Sequence, residues 1–189
     1  MKTLAFVFML IPCIVVGQHK LLPPHPLTKE EYKLAETYSQ CHYSAKYNAK
    51  QRRSFFPFST AATIKLVSFS DTVRIYKPIA VDNFAIDYNK VFNSKTLSAA
   101  GIDSLTDIMY NIGFTPVNGS YAVTVSEYMC YNPRNAILFI DANGTVTQYI
   151  EFCFECHRYY LSSHKIKNAI YCEHKYDLLS NFFLLQGAN

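Results

Sequence analysis

The stretch from Tyr121 to Cys156 constrains the fold of this chain most strongly. Apolar residues alternate with polar ones from Tyr121 to Cys130, run almost continuously from Asn135 to Asp141, and alternate again from Thr145 to Phe154. Alternation is typical of a half-buried strand, whereas a continuous apolar run suits a strand covered on both faces. Turn-forming residues separate the three runs. The pattern therefore predicts a three-stranded antiparallel meander.

Helices are predicted at both ends of the remaining chain. Thr28 and Glu31 have the spacing of a capping box, and an apolar stripe of helical period continues from there to about Tyr47. A second apolar stripe covers residues 173–185, and Gly187 follows it where a C-terminal cap glycine is expected. Both helices are expected to pack against the meander.

The middle of the chain carries two further patterns. Thr63–Phe69 and Thr72–Tyr76 are rich in strand-forming residues and predict a hairpin. A short helix is predicted between a cap at Asp103 and a terminating glycine at Gly113. The predicted fold class is thus α+β, with an antiparallel sheet of about five strands, including the C-terminal three-stranded meander, flanked by N- and C-terminal helices.

The first residues predict export. Residues 1–17 have a basic start, an apolar run over Leu4–Val16 and small residues before a cleavage point at Gln18, as signal peptides do. That run is shorter than the roughly 20 residues a spanning helix needs, and no other apolar segment of the sequence suits a membrane span. We expect a signal peptide over 1–17, a Pro-rich arm over 18–27 and a single α+β domain over 28–189.

Composition and missing motifs restrict the function. Half of the residues are hydrophobic, which is ample for a packed core. The net charge of +4 is small and the basic residues are scattered, so nucleic acid is not an expected partner. A nucleophile elbow, an HExxH zinc motif and a glycine-rich phosphate loop are all lacking. These observations favour a binding or structural protein over an enzyme.

Cysteine usage points to an oxidising compartment. Removal of the signal peptide leaves an odd number of cysteines, so at least one thiol is unpaired or pairs between chains. Export makes disulfides the default, and the disulfide candidates are Cys130, Cys153, Cys156 and Cys172. If Asp141 pairs near Thr145, the hairpin register brings the first three of these to one end of the sheet.

Residues 153–157, CFECH, allow four interpretations. Structural disulfides are the first, although in a straight strand Cys153 and Cys156 would lie about 10 Å apart and would need other partners. A redox dithiol is the second, but such motifs usually open a helix after a strand. The third is a zinc site and the fourth is covalent haem attachment through C-x-x-C-H, in a strand with no methionine after it. The candidate metal ligands are Cys130, Cys153, Cys156, His157 and Cys172.

The same region resembles a group of small exported proteins of Bacteroidetes. The similarity is carried by the Gly17-Gln18 junction, by Cys130–Ile137 (CYNPRNAI) and by Ile150–Cys156 (IEFCFEC), and it covers roughly residues 103–187. This resemblance implies a compartment, periplasmic or extracellular, and no particular activity. The similar segment ends at Cys156 and does not extend to His157, which counts against haem.

The sequence as a whole predicts an exported, cysteine-stabilised α+β domain. We expect a non-enzymatic binding or structural protein of the cell envelope, with an envelope protein or a small ligand as partner and no cofactor. The alternative is thiol-redox or metal chemistry, with zinc or less readily c-type haem, built on Cys153, Cys156 and His157.

Overall fold

The predicted fold class is confirmed, because helices accompany a five-stranded antiparallel sheet in an α+β arrangement. The computed structural model describes residues 28–69, 81–82, 85–86, 90–118 and 130–188. None of the helices in these stretches is both long and apolar enough to cross a lipid bilayer. The elements, in chain order, are α1 (Lys29–Ser39), β1 (Cys41–Tyr43), α2 (Ala49–Arg53), β2 (Thr63–Phe69), β3 (Val81–Asp82), β4 (Ala85–Ile86), β5 (Val91–Thr96), α3 (Ala99–Asn111), β6 (Ile112–Phe114), β7 (Asn135–Ile140), β8 (Val146–Cys153), β9 (Arg158–Leu161) and α4 (Lys175–Leu185).

The five-stranded sheet has the order β5-β2-β7-β8-β9, and β1 with β6 and β3 with β4 form two small pairs. Strand β7 is buried at every position, as its continuous apolar sequence predicts for a strand covered on both faces. On one face, Ile137 and Phe139 pack in a large core that includes Leu105 of α3 and Leu179 of α4. On the other face, Leu138 belongs to a smaller apolar cluster.

The C-terminal meander is present, but its strands are not the predicted set. It consists of β7, β8 and β9, so Arg158–Leu161 supplies the third strand. Of the predicted first strand, residues 121–129 lie outside the described residues, and Cys130 belongs to no strand. Likewise, Thr72–Tyr76 lies outside them, and β2 pairs with β5 and β7.

The β7–β8 turn follows the predicted register only at its tip. Asp141 N–H donates to Thr145 O at 2.9 Å, and Gly144 has a φ of +84° that glycine adopts without strain. Beyond the tip, the register shifts by one residue at a β-bulge between Phe139 and Ile140. A bulge inserts one extra residue into one strand, which local sequence signals do not reveal.

The N-terminal helix begins as predicted and ends earlier. Both hydrogen bonds of the Thr28–Glu31 capping box are formed. The helix stops at Ser39 instead of continuing to Tyr47, because Cys41–Tyr43 leaves it to pair with β6. A pairing partner so distant in sequence overrides the local helical period.

Helix α3 also has other boundaries than predicted, whereas α4 ends as expected. The cap of α3 is Ser98 and not Asp103, and Gly113 lies within β6 instead of ending the helix. Gly187 follows α4 with a φ of +73°, and the amides of Gly187 and Ala188 donate to the last carbonyls of the helix, as in a Schellman motif.

Two charged side chains are buried between the helices. Arg52 of α2 contacts Asp103 at 2.6 Å and Asp107 at 3.0 Å, which ties α2 to α3. Lys175 of α4 is fully buried, and its ammonium donates to carbonyls at the C-terminal end of α3, including that of Ile112 at 2.6 Å. A side chain that donates hydrogen bonds suits this helix end, where carbonyl groups lack helical partners.

Candidate functional site: a sulfur cluster beside a groove

Three of the predicted cysteines meet at one end of the sheet. The Sγ atoms of Cys130, Cys153 and Cys156 all lie within 4.8 Å of one another. Cys130 and Cys156 form a disulfide, whereas Cys153 carries a free thiol. The expectation that Cys153 is bridged is therefore wrong, although its place in the group agrees with the predicted position. We call these three residues the sulfur cluster.

A tight turn explains how Cys156 reaches the cluster. Strand β8 ends at Cys153, and the chain then turns, so that His157 N–H contacts Phe154 O at 3.4 Å. His157 has a φ of +52°, a left-handed conformation that allows the chain to reverse into β9. The two cysteines are thus not spread along an extended strand, and the 10 Å separation assumed for a straight strand does not arise.

Cys172 belongs to a different part of the molecule. It is fully buried and bonded to Cys41, which was not among the disulfide candidates. Cys41 begins β1, and Glu173 N–H donates to Ser39 O at 2.9 Å, so the chain before α4 is attached to the end of α1. This pairing removes Cys172 from the predicted set of metal ligands.

The predicted ligand His157 is also placed elsewhere, and so is His174, which precedes α4. The His157 ring stacks on Tyr176 with a centroid distance of 5.2 Å and an interplanar angle of 3°. His174 is exposed beside Asp177, with 3.2 Å between Nδ1 and Oδ2. Neither histidine belongs to the group of candidate ligands that the three sulfur atoms form.

Residues around the free thiol fix its position. Cys153 is 1% exposed, and the backbone N–H of Asn132 donates to its Sγ at 3.4 Å. Next to it, Tyr131 donates to the buried Glu151 carboxylate at 3.2 Å. Burial, together with that carboxylate, raises the pKa of the Tyr131 phenol, so Tyr131 remains a neutral donor.

A groove of about 300 Å³ opens beside the sulfur cluster. Its polar floor is internally bonded, since Asn135 Nδ2 donates to Ser68 Oγ, which in turn donates to Ala188 O. Two exposed charged residues, Arg134 and Glu155, stand at the groove. The groove is lined by Ser68, Phe92, Asn132, Arg134, Asn135, Phe154, Glu155 and Ser180.

Three groups at this groove have unused hydrogen-bonding capacity. Within the described part of the chain, neither the Arg134 guanidinium nor the Glu155 carboxylate has a hydrogen-bond or ion-pair partner. Asn132 Oδ1 is buried and accepts no hydrogen bond from the described residues. A buried polar atom without a partner costs about 1–3 kcal/mol, so a ligand that donates to it would recover that cost.

The sulfur cluster has the ligand type and spacing for a soft metal only in reduced form. Sulfur atoms on a tetrahedral zinc lie about 3.8 Å apart, given Zn–S bonds of about 2.3 Å. The three Sγ atoms lie within 4.8 Å of one another, but those of Cys130 and Cys156 are joined by a 2.04 Å bond and cannot bind a metal as thiolates. Zinc would therefore need three thiolates, at Cys130, Cys153 and Cys156, and a fourth ligand from outside the cluster.

Comparison with known proteins identifies no family for this chain. The chain matches no protein-family model, no curated protein and no solved structure. The conclusions on function therefore come from the residues of this chain.

The sequence indicated the cluster but not the groove. The hairpin register predicted from the sequence already placed Cys130, Cys153 and Cys156 at one end of the sheet. The groove combines residues from β2, β5, the segment before β7, the turn after β8 and helix α4. A sequence signal that points to the groove is Arg134, a charged residue four positions after Cys130.

Proposed function

We propose that the protein is an exported, disulfide-braced domain that binds a small zwitterionic ligand in the groove beside the sulfur cluster. The observation that carries this proposal is the pair of unused opposite charges at one groove, Arg134 and Glu155. Arginine recognises carboxylates through a planar fork of donors, and glutamate accepts from an ammonium group. A molecule of amino-acid size, or the end of a short peptide, carries both.

The walls of the groove suit the body of such a ligand. Phe92 is 66% exposed and Phe154 is half-buried, so both aromatic rings are available for apolar contact. Ligand sites combine apolar walls with a few fixed polar groups, and a volume of about 300 Å³ lies at the small end of their range. This volume favours a single residue over a long peptide.

The disulfide gives the groove a rigid edge. Asn132 and Arg134 follow Cys130, and Glu155 precedes Cys156, so the Cys130–Cys156 bond ties the two groove-lining segments to each other. Fixing the binding residues before the ligand arrives lowers the entropy cost of binding. The bond therefore supports recognition as well as stability.

Export is the second part of the proposal and has its own test. Two disulfides and a sequence that begins like a signal peptide support an oxidising compartment. Expression of the full chain in a bacterium, followed by mass spectrometry of the periplasmic fraction, should give a mature N-terminus at Gln18. An uncleaved chain retained in the cytoplasm would contradict this part.

Calorimetric titration with a panel of free amino acids, dipeptides and simple carboxylates tests ligand binding. At least one zwitterion should bind, and Arg134→Met should weaken that binding by about tenfold to a hundredfold, the effect of losing a charge-assisted contact. Arg53→Met is the matched control, because Arg53 is exposed, outside the groove, and carries the same charge. Equal loss in both variants, or no binding across the panel, would refute the proposal.

A second candidate function is supported by the sulfur cluster itself. Three sulfur atoms within 4.8 Å permit either thiol–disulfide exchange with other molecules or, after reduction, binding of a soft metal ion. Zinc titration of the reduced protein would test the metal, with Cys153→Ala as the variant that removes one ligand. Identical zinc affinity in the two proteins would exclude a three-thiolate site.

A further inference from the structure

We infer that Cys153 exchanges with the neighbouring disulfide, which forms a Cys153–Cys156 bond and releases Cys130 as an exposed thiol. This inference rests on the sulfur-chemistry candidate and is independent of ligand binding. The released Cys130 thiol, which is blocked by the disulfide before exchange, then reacts with external disulfides. Its substrate class is a disulfide-bearing molecule, either small or protein-borne.

The arrangement of the sulfur atoms allows the exchange without a large movement of the chain. The Cys153 sulfur lies within 4.8 Å of both sulfur atoms of the bond. Cys153 ends β8 and Cys156 lies within the turn that follows, with only two residues between them, so a bond between them closes a short loop. Asn132 N–H, bonded to Cys153 Sγ, keeps this sulfur facing the segment that follows Cys130.

The exchange balances in electrons and atoms. The Cys153 thiolate attacks Cys156 Sγ, a new S–S bond forms there, and the electron pair of the old bond leaves on Cys130 Sγ. The proton lost by the Cys153 thiol is returned by solvent to the departing Cys130. No external oxidant or reductant enters, because one thiol and one disulfide are present before and after.

Solvent decides which sulfur atom leaves. Cys130 is an exposed residue, whereas Cys156 is 1% exposed. A thiolate released at Cys130 is hydrated, while a thiolate released at Cys156 would be stranded in an apolar setting. Attack on Cys156 is therefore favoured over attack on Cys130, and it places the reactive thiol at the surface.

The released Cys130 thiolate can then attack an external disulfide. With glutathione disulfide, one glutathione becomes bonded to Cys130 and the other leaves as a thiolate, so the step again balances. Burial of Cys153 protects it from the same reagent before exchange. The site of modification therefore reports whether internal exchange has occurred.

The test is the site of glutathione addition in the oxidised wild-type protein. After incubation with glutathione disulfide, the sample is quenched in acid, denatured, alkylated and mapped by mass spectrometry. Trypsin separates Cys130 from the other two by cutting after Arg134, and a glutamate-specific protease separates Cys153 from Cys156 by cutting after Glu155. The expected result is glutathione on Cys130 together with a Cys153–Cys156 bond.

Variants supply the controls. Cys153→Ser lacks the internal nucleophile, so addition to Cys130 should be lost, and Cys130→Ser should contain a Cys153–Cys156 bond with no free thiol. The position of glutathione in the wild-type protein is measured without any variant, so that result remains valid even if a variant folds poorly. Addition at Cys153 itself would overturn the internal exchange while leaving external thiol chemistry intact. An unchanged Cys130–Cys156 bond with no adduct would overturn both.

Discussion

The two disulfides should contribute unequally to stability. The Cys41–Cys172 bond closes a loop with a sequence separation of 131, whereas the Cys130–Cys156 bond has a separation of 26. In the chain-entropy description, a cross-link stabilises a protein by restricting its unfolded state, and the effect grows with the logarithm of loop length. The expected contributions to the free energy of unfolding are about 5 and about 3.5 kcal/mol, respectively.

The comparison requires matched double variants. Cys41→Ala with Cys172→Ala removes the long loop, and Cys130→Ala with Cys156→Ala removes the short one. In each pair one cysteine is buried and the other is more exposed, so the side-chain losses are similar. Both should be made in a Cys153→Ala background, because a free thiol would otherwise form new bonds.

Urea unfolding followed by circular dichroism provides the measurement. The long-loop variant should be less stable than the short-loop variant by about 1.5 kcal/mol, or about 0.7 M in midpoint for an m-value of about 2 kcal/mol per M. Equal stabilities, or a greater loss in the short-loop variant, would refute the entropic reasoning. In that event, strain or contacts near the sulfur cluster would dominate the energetics.

Three further predictions concern residues away from the sulfur atoms. Burial lowers the pKa of Lys175 to about 7. Between about pH 7 and 10.5 the unfolded chain therefore binds more protons at this residue than the folded protein does. The free energy of unfolding should rise with pH in that window, by up to about 1.4 kcal/mol per pH unit. Lys175→Met should remove this rise, and an unchanged pH profile would contradict it. Arg52→Met should cost about 2–3 kcal/mol in chemical unfolding, because its two aspartate partners lose their buried cation, whereas the exposed Arg53→Met should cost little. Gly187→Ala should lower the free energy of unfolding by about 1–2 kcal/mol, since Gly187 has a φ of +73°. Gly113→Ala is the control, because a Cβ there meets only ordinary contacts. In thermal melting, Gly113→Ala should lower the melting temperature less than Gly187→Ala does.

Features encoded locally were the ones that the sequence predicted well. The Thr28–Glu31 capping box and the glycine at the end of α4 each depend on residues within one helical turn. The turn at Asp141–Gly144 is local as well, because Asp141 Oδ1 accepts from the amides of Asn143 and Thr145. Such signals are complete within a few residues, so their outcome does not depend on the rest of the fold.

Features that depend on distant partners were mispredicted. The early end of α1 follows from β1 pairing with β6, and Cys41 pairs with a cysteine 131 positions away. Neither partner can be identified from the helix sequence. The choice of Cys130 over Cys153 as the partner of Cys156 depends on angstrom-scale differences within one cluster, which spacing alone does not resolve.

The groove and the sulfur cluster share a segment, so their proposed activities should be coupled. The Asn132 backbone N–H contacts Cys153 Sγ, while Asn132 Oδ1 is one of the unused acceptors at the groove. If disulfide exchange moves this segment, a ligand bonded to Asn132 and Arg134 binds the two disulfide isomers with different affinities. By linkage, ligand binding then shifts the ratio of the two isomers by the ratio of those affinities.

Glutathione addition at Cys130 measures that ratio. The zwitterion that binds in the calorimetric titration should change the yield of the adduct at saturating ligand, and Arg134→Met should abolish the change. Tight binding with an unaltered yield would mean that the segment from Cys130 to Arg134 is equally placed in both isomers. The disulfide would then be only a brace for the groove, and the sulfur chemistry would proceed without reference to the ligand.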